Sequence, residues 1–322
     1  MPQCKALYRR KCDGAPPPPP DTIGGLVLVP QGPRGAACLD GSPPGYWMEQ
    51  ASAVSNASKW VIHAQGGGWC WNEAECASRA KGGLGSSKGW GQTTSCYGKC
   101  DGILSRNSTE NPDFSSWNRP PLPTAGHPYA STADTLTCCL CGVLLVPLVL
   151  VLLLHIALCF CRLRQHTDVW VGYCDGSSFS GRVEGLHQGL HYRGRPNLDA
   201  VLDSLIAKSH LDQATDVIFT GGSAGGLTTY LQIDHVKSRL PAVKTVKGLG
   251  DAGWFLDSPT WNGETVSRME FTYAFNMWNS STGVNDACIA ANKGGSAWKC
   301  IFAQYTYRLR AIDTDTVFSL NK

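Results

Sequence analysis

Hydrophobic positions follow three patterns along this chain. Leu198, Val201, Leu202, Leu205 and Ile206 recur every three or four residues, which predicts an amphipathic helix. Residues 217–220 (VIFT) form a short apolar run of the buried-strand kind, and 227–240 mixes polar and apolar positions at helical spacing. Short runs at 60–65 (WVIHAQ), 169–174 and 243–248 read as further strands. Strands alternating with helices predict an α/β fold, a mostly parallel sheet with helices on both faces. The third pattern is unbroken: 140–160 (LCGVLLVPLVLVLLLHIALCF) is almost wholly apolar, with Arg162 and Arg164 just beyond. As a helix it would rise about 31 Å, enough for a hydrocarbon core of about 30 Å. By hydropathy it reads as a transmembrane segment, irregular at Pro147 and His155.

Charge removes one class of function. With 28 basic and 25 acidic side chains in 322 residues, the formal net charge is only +3, and no basic stripe is interleaved with aromatics. A nucleic-acid partner is therefore not expected. The cysteines point to an oxidising compartment. Cys138, Cys139, Cys141, Cys159 and Cys161 crowd the apolar stretch, while the other ten of the 15 are dispersed. Cys96 and Cys100 have the spacing of half a zinc site, but no second pair follows at ligand spacing, so disulfides are expected and no metal. Sequons at Asn56, Asn107 and Asn279 agree with an extracellular setting. Against it, the start of the chain lacks the apolar region of a signal peptide. Residues 1–34, with five prolines at 16–20, read as a disordered, proline-rich segment.

The chemistry concentrates in two glycine clusters. After the strand at 217–220 comes Gly221-Gly222-Ser223-Ala224-Gly225-Gly226, and then the helix. Strand, tight turn and helix with Ser at the apex is the context of a G-x-S-x-G nucleophile elbow. A plain glycine turn with an incidental serine is the alternative. The strand at 60–65 runs into Gly66-Gly67-Gly68-Trp69-Cys70. Such a loop can present backbone N–H groups to an oxyanion. It can also be a phosphate cradle or a simple turn, although Trp69-Cys70 stands where a Walker loop needs Lys-Ser/Thr.

Seven motifs, in order, are similar to one family: 38–46 (CLDGSPPGY), 66–72 (GGGWCWN), 102–105 (GILS), 111–118 (NPDFSSWN), 173–181 (YCDGSSFSG), 221–226 (GGSAGG) and 251–257 (DAGWFLD). The chain resembles the plant-type pectin acetylesterases, related to the animal Notum carboxylesterases. The resemblance implies an α/β-hydrolase fold with disulfide-braced loops, no cofactor, and deacetylation of pectic polysaccharide through an acyl-serine. It also implies a secreted, cell-wall protein, which we expect to be monomeric. By the same resemblance Ser223 is the nucleophile, Gly68, Trp69 and Ala224 donate the oxyanion N–H groups, and Cys70 pairs with Cys76. A Notum-like activity on longer acyl esters, or a membrane-anchored non-catalytic protein, are the alternatives.

Two departures qualify this. The 49 residues 120–168 separate motifs that the family holds together, and they contain the apolar stretch. A membrane span there would put Gly68 and Ser223 on opposite sides of a bilayer, so span and esterase exclude each other; retained intron-like sequence is our explanation. The expected hydrolase domain is thus 35–119 plus 169–322. The second departure concerns the base. His235 alone follows Ser223, about 18 Å along the same helix. Asp251 is conceivable as the acid, but the resemblance puts the triad Asp and His beyond 316–321, so the domain is expected to be truncated at its C-terminus and at most weakly active. His63 reads as a packing residue, and His187, His191 and His210 as surface residues. Trp90, Trp254 and Trp261 are candidates for sugar contact.

Overall fold

The computed structural model describes residues 23, 25–49, 58–96, 102–105, 109–112, 114 and 167–307, and the backbone of 317–320. Seven strands form one sheet: β1 (Leu26–Leu28), β2 (Gly45–Glu49), β3 (Lys59–Ala64), β4 (Thr167–Val171), β5 (Asp216–Gly222), β6 (Thr245–Asp251) and β7 (Val317–Leu320). Their order is β1-β2-β4-β3-β5-β6-β7. β1 and β2 pair antiparallel, as do β2 and β4; every pairing from β4 through β3, β5 and β6 to β7 is parallel. This is the mostly parallel sheet expected from the alternating pattern, in the α/β-hydrolase-like form that the resemblance implies.

Residue alternation sorts the strands' side chains onto two faces. Tyr46, Trp60, Ile62, Val169, Val171, Val217 and Phe219 join the larger core, with Leu198, Val201, Leu202 and Leu205 of α2 (Gly194–Ser209). Leu227, Leu231 and Ile233 of α3 (Ala224–Arg239) complete that layer. The intervening residues Trp47, Val61, Trp170 and Ile218 form a smaller core with Ile23 and Leu104. Leu104 comes from the 3-10 turn Gly102–Leu104.

α3 shows why a helix can be buried without being apolar. Thr228, Thr229 and Gln232 are fully buried. The two threonine hydroxyls bond to Ala224 O and Gly225 O, and Gln232 Nε2 donates to Phe179 O and Gly283 O. Satisfied in this way, they avoid the cost of an unpaired polar group.

Shorter helices follow the loops: α1 (Glu73–Arg79), α4 (Val266–Met277), α5 (Asp286–Ala291) and α6 (Ala303–Thr306). Disulfides join Cys38 to Cys174, Cys70 to Cys76 and Cys288 to Cys300, and Cys96 is also disulfide-bonded.

The boundaries differ from the sequence reading at two places. The ordered sheet begins before residue 35: β1 pairs with β2, and Arg34 forms an ion pair with Asp203. β4 begins at Thr167, so the last two residues assigned to the insert belong to the sheet. Their burial explains this, since Thr167 and Asp168 are 2% and 3% exposed. The stretch 140–160 lies outside the described residues, among which no helix is long and apolar enough to cross a membrane.

Candidate active site

Parallel register brings three loops to one edge. Ala64 pairs with Gly221, and Gly222 with Asp251, so β3, β5 and β6 all end at the same level. β5 stops at Gly222 and α3 starts at Ala224, leaving Ser223 at the apex. Its backbone sits at φ 55°, ψ −121°, and the residue is exposed. Such a conformation costs a non-glycine residue about 1–3 kcal/mol and persists only where the surroundings impose it. Here the Ser223 N–H donates to Asp251 O at 3.0 Å, and its carbonyl accepts the Leu227 N–H at 2.9 Å. Close contact behind the turn requires glycine: a Cβ on Gly225 would lie 2.0 Å from Ala64 O.

The loop after β3 faces this apex. A Cβ placed on Gly66 would lie 3.3 Å from Ser223 Cβ. Gly67 and Gly68 have φ of 127° and 65°, the left-handed region that glycine adopts freely. Among the described residues, no acceptor meets the backbone N–H of Gly68, Trp69 or Ala224. Ala224 also opens the 16-residue α3, whose N-terminus favours negative charge. The arrangement can place a carbonyl carbon near a hydroxyl and its oxygen near free N–H groups, as acyl transfer requires.

Residues 173–181 brace that loop from below. Tyr173 N–H donates to Gln65 Oε1 at 2.8 Å, Cys70 N–H to Gly176 O at 3.3 Å, and Trp69 Nε1 to Ser178 Oγ at 2.6 Å. Asp175 Oδ1 in turn takes the N–H groups of Ser177 and Phe179. Trp69 packs against Trp71, Phe255 and Phe271, with ring centres 4.8–5.3 Å apart. Nothing in the sequence marked Arg79, the last residue of α1, yet it donates to Gly67 O. Tyr173 lay within a recognised motif without an assigned role.

None of the five described histidines makes a contact with Ser223. His63 stacks on Trp170 at 4.5 Å, and burial pushes its pKa down to about 4. His187 reaches Glu73, so it is tethered rather than free at the surface. His191 lies beside Gly41, and His210 caps α2. His235 pairs with Asp199. His127, His155 and His166 lie outside the described residues. Asp251 is exposed at the end of β6, while Asp257 is held by Arg268 and Tyr305. Of the three candidate tryptophans, Trp90 packs on Trp47 and Trp254 on Tyr230; Trp261 is 99% exposed. Among the described residues, no cluster of His, Cys, Asp or Glu is placed to hold a metal.

The chain is similar to known proteins over most of its length. The pectinacetylesterase family model matches residues 20–124 and 163–321. Pectin acetylesterase 5 of Arabidopsis thaliana is 30% identical over 274 residues, covering 84% of this chain and 51% of that protein. Pectin acetylesterase 11 of the same plant is 30% identical over 275 residues, covering 84% and 55%. The palmitoleoyl-protein carboxylesterase NOTUM of Schmidtea mediterranea is 27% identical over 284 residues, covering 84% and 43%. The chain thus spans about half the length of these curated relatives. The break between the two matched parts, 125–162, falls inside the interruption seen in the motif order. Matched on both sides of that break, the chain belongs to the pectinacetylesterase family of carboxylesterases.

Proposed function

We propose that this domain removes acetyl groups from pectic polysaccharide through an acyl-enzyme on Ser223. The observation that carries the reading is the strained Ser223 apex facing a loop whose Gly68 and Trp69 N–H groups have no protein acceptor among the described residues. Ser223 Oγ attacks the acetyl carbonyl while the N–H groups of Gly68, Trp69 and Ala224 hold the developing oxyanion. The C–O bond to the sugar breaks, the sugar oxygen takes up the proton that the serine gives up and leaves as a hydroxyl, and water then adds to the acyl carbon and releases acetate from the serine. Family membership and the pectin acetylesterase relatives support the substrate class. The disulfides support an oxidising, extracellular site of action such as the cell wall.

Among the described residues, no imidazole reaches the Ser223 hydroxyl. A serine esterase working without a placed base turns over about four to six orders of magnitude more slowly. Slow turnover is therefore expected of residues 1–322. The test is acetate release from acetylated pectin and p-nitrophenyl acetate, with peptide mapping after an acid quench. Acetyl-Ser223, lost in Ser223→Ala, is the expected result. A rate unchanged in Ser223→Ala, with no acetyl on residue 223, overturns the reading.

A further inference from the structure

We infer that Arg79, with Tyr173, is the positioning residue that aims the Gly68 and Trp69 N–H groups at the reacting oxygen. The inference rests on the reading of those two groups as oxyanion donors.

The argument starts from the peptide unit. A trans peptide is planar, with its C=O and N–H pointing in opposite directions, and no described bond is cis. Whatever holds the carbonyl of residue 67 therefore aims the N–H of residue 68 the other way. Arg79 Nη2 donates to Gly67 O at 2.9 Å. Tyr173 Oη donates to Gly68 O at 2.9 Å, and Arg79 Nη2 lies 3.5 Å from the same oxygen. Arg79 Nη1 lies 3.5 Å from Trp69 O. Three successive carbonyls thus converge on one guanidinium and one phenol. In extended chain, successive carbonyls alternate sides; the positive φ of Gly67 and Gly68 turns these the same way. Their amide partners, Gly68 N–H and Trp69 N–H, face away from Arg79.

The clamp is itself fixed. Arg79 Nε donates to Leu84 O at 2.9 Å, and its guanidinium carbon lies 5.0 Å from the Tyr173 ring centre. α1, which carries Arg79, is tethered to the loop through Cys70–Cys76. Tyr173 is fully buried, and its Oη also accepts the Ser178 N–H at 2.9 Å. Burial pushes its phenol well above the ordinary range, so it stays a donor. A cation on the carbonyl also polarises the amide, strengthening the N–H that the same unit offers. Lysine cannot replace this, because a single ammonium lacks the fork that reaches several carbonyls at once.

The test uses the full chain with Arg79→Met, Arg79→Lys and Tyr173→Phe. One readout is p-nitrophenyl acetate turnover corrected for folded fraction. The other is the backbone amide signals of Gly68 and Trp69 during titration with acetate, the expected product. In the unaltered chain both amides should shift on acetate addition. Arg79→Met should lower kcat about 100-fold with KM within about twofold, since losing one oxyanion donor costs about 10²–10³. It should also abolish both amide responses. Arg79→Lys should restore only part of either, and Tyr173→Phe should lower kcat about tenfold while weakening the Trp69 response most. A merely structural arginine would lower the folded fraction but leave kcat per folded molecule and the amide responses intact, which overturns the inference. If Arg79→Met fails to fold, Tyr173→Phe decides, because it removes the bond to Gly68 O and keeps the ring. An unaltered chain with neither Ser223-dependent turnover nor an amide response overturns the esterase reading, and this inference with it.

Discussion

The two ends of α3 use the same helix for opposite purposes. At its N-terminus Ser223 stands exposed on a turn made of glycines, beside N–H groups that meet no acceptor among the described residues and at the positive end of the helix dipole. At its C-terminus, Asp199 of α2 collects His235 at 2.5 Å and Arg239 at 3.1 Å, with Arg195 and Arg34 beyond. Asp203 joins the cluster through Arg34 and Arg239. A histidine paired with a carboxylate has the composition of a catalytic pair, but this one lies about 18 Å from the serine. Backbone closeness and strain mark the reactive end. Satisfied charge marks the structural one.

The largest expected effect comes from crowding the reactive end. Gly225→Ala puts a methyl onto the backbone of Ala64 and should lower unfolding stability by about 3 kcal/mol or more, read from urea midpoints. An unchanged midpoint would show that the glycine turn is not tightly packed against Ala64.

Acid should come next. His63 has a folded pKa of about 4 against an ordinary 6.5, so the unfolded chain takes the proton first. Stability is complete above pH 6.5 and falls as the pH drops through 4, by about 3 kcal/mol from this group. His63→Phe should flatten that slope. His235 is also lowered, chiefly by burial, so His235→Gln should flatten it by a smaller amount. For Asp199, burial acts to raise the pKa, but the His235 hydrogen bond and neighbouring cations outweigh it and hold it low. Its contribution therefore disappears only below pH 4.

Removing the hub of the structural end comes third. Asp199→Ala leaves three arginines and His235 without their shared carboxylate and should cost about 2 kcal/mol. That is below the figure for a fully buried pair, because these side chains keep some solvent contact. Per folded molecule, ester turnover should not change; if it does, the two ends are coupled.

The smallest effect is a gain. Ser223→Gly should relieve the positive φ and raise stability by about 1 kcal/mol, while Ser223→Ala should not. Equal stability of the two variants would mean that the serine backbone is unstrained.

How much of this was legible depends on range. Strands β3, β4, β5 and β6 and helices α2 and α3 were readable because apolar spacing is local. β1 and β2 were not, because Leu26–Leu28 and the strand inside GSPPGYWME become strands only by pairing with each other and with β4. The serine turn was visible as strand, glycines and helix. Its brace was not. Arg79 lies in an ordinary short helix, and its importance comes from carbonyls 10 to 12 residues away that face it after folding.

Residue order alone established the family motifs, the α/β alternation, the serine turn and the excess of cysteine, since each is written in short, contiguous stretches. Folding was needed to pair Cys38 with Cys174 and Cys288 with Cys300, to give His235 its partner Asp199, and to reveal what aims the Gly68 and Trp69 amides. Those depend on which distant segments share an edge or a face, and parallel sheet registers, not sequence spacing, set that.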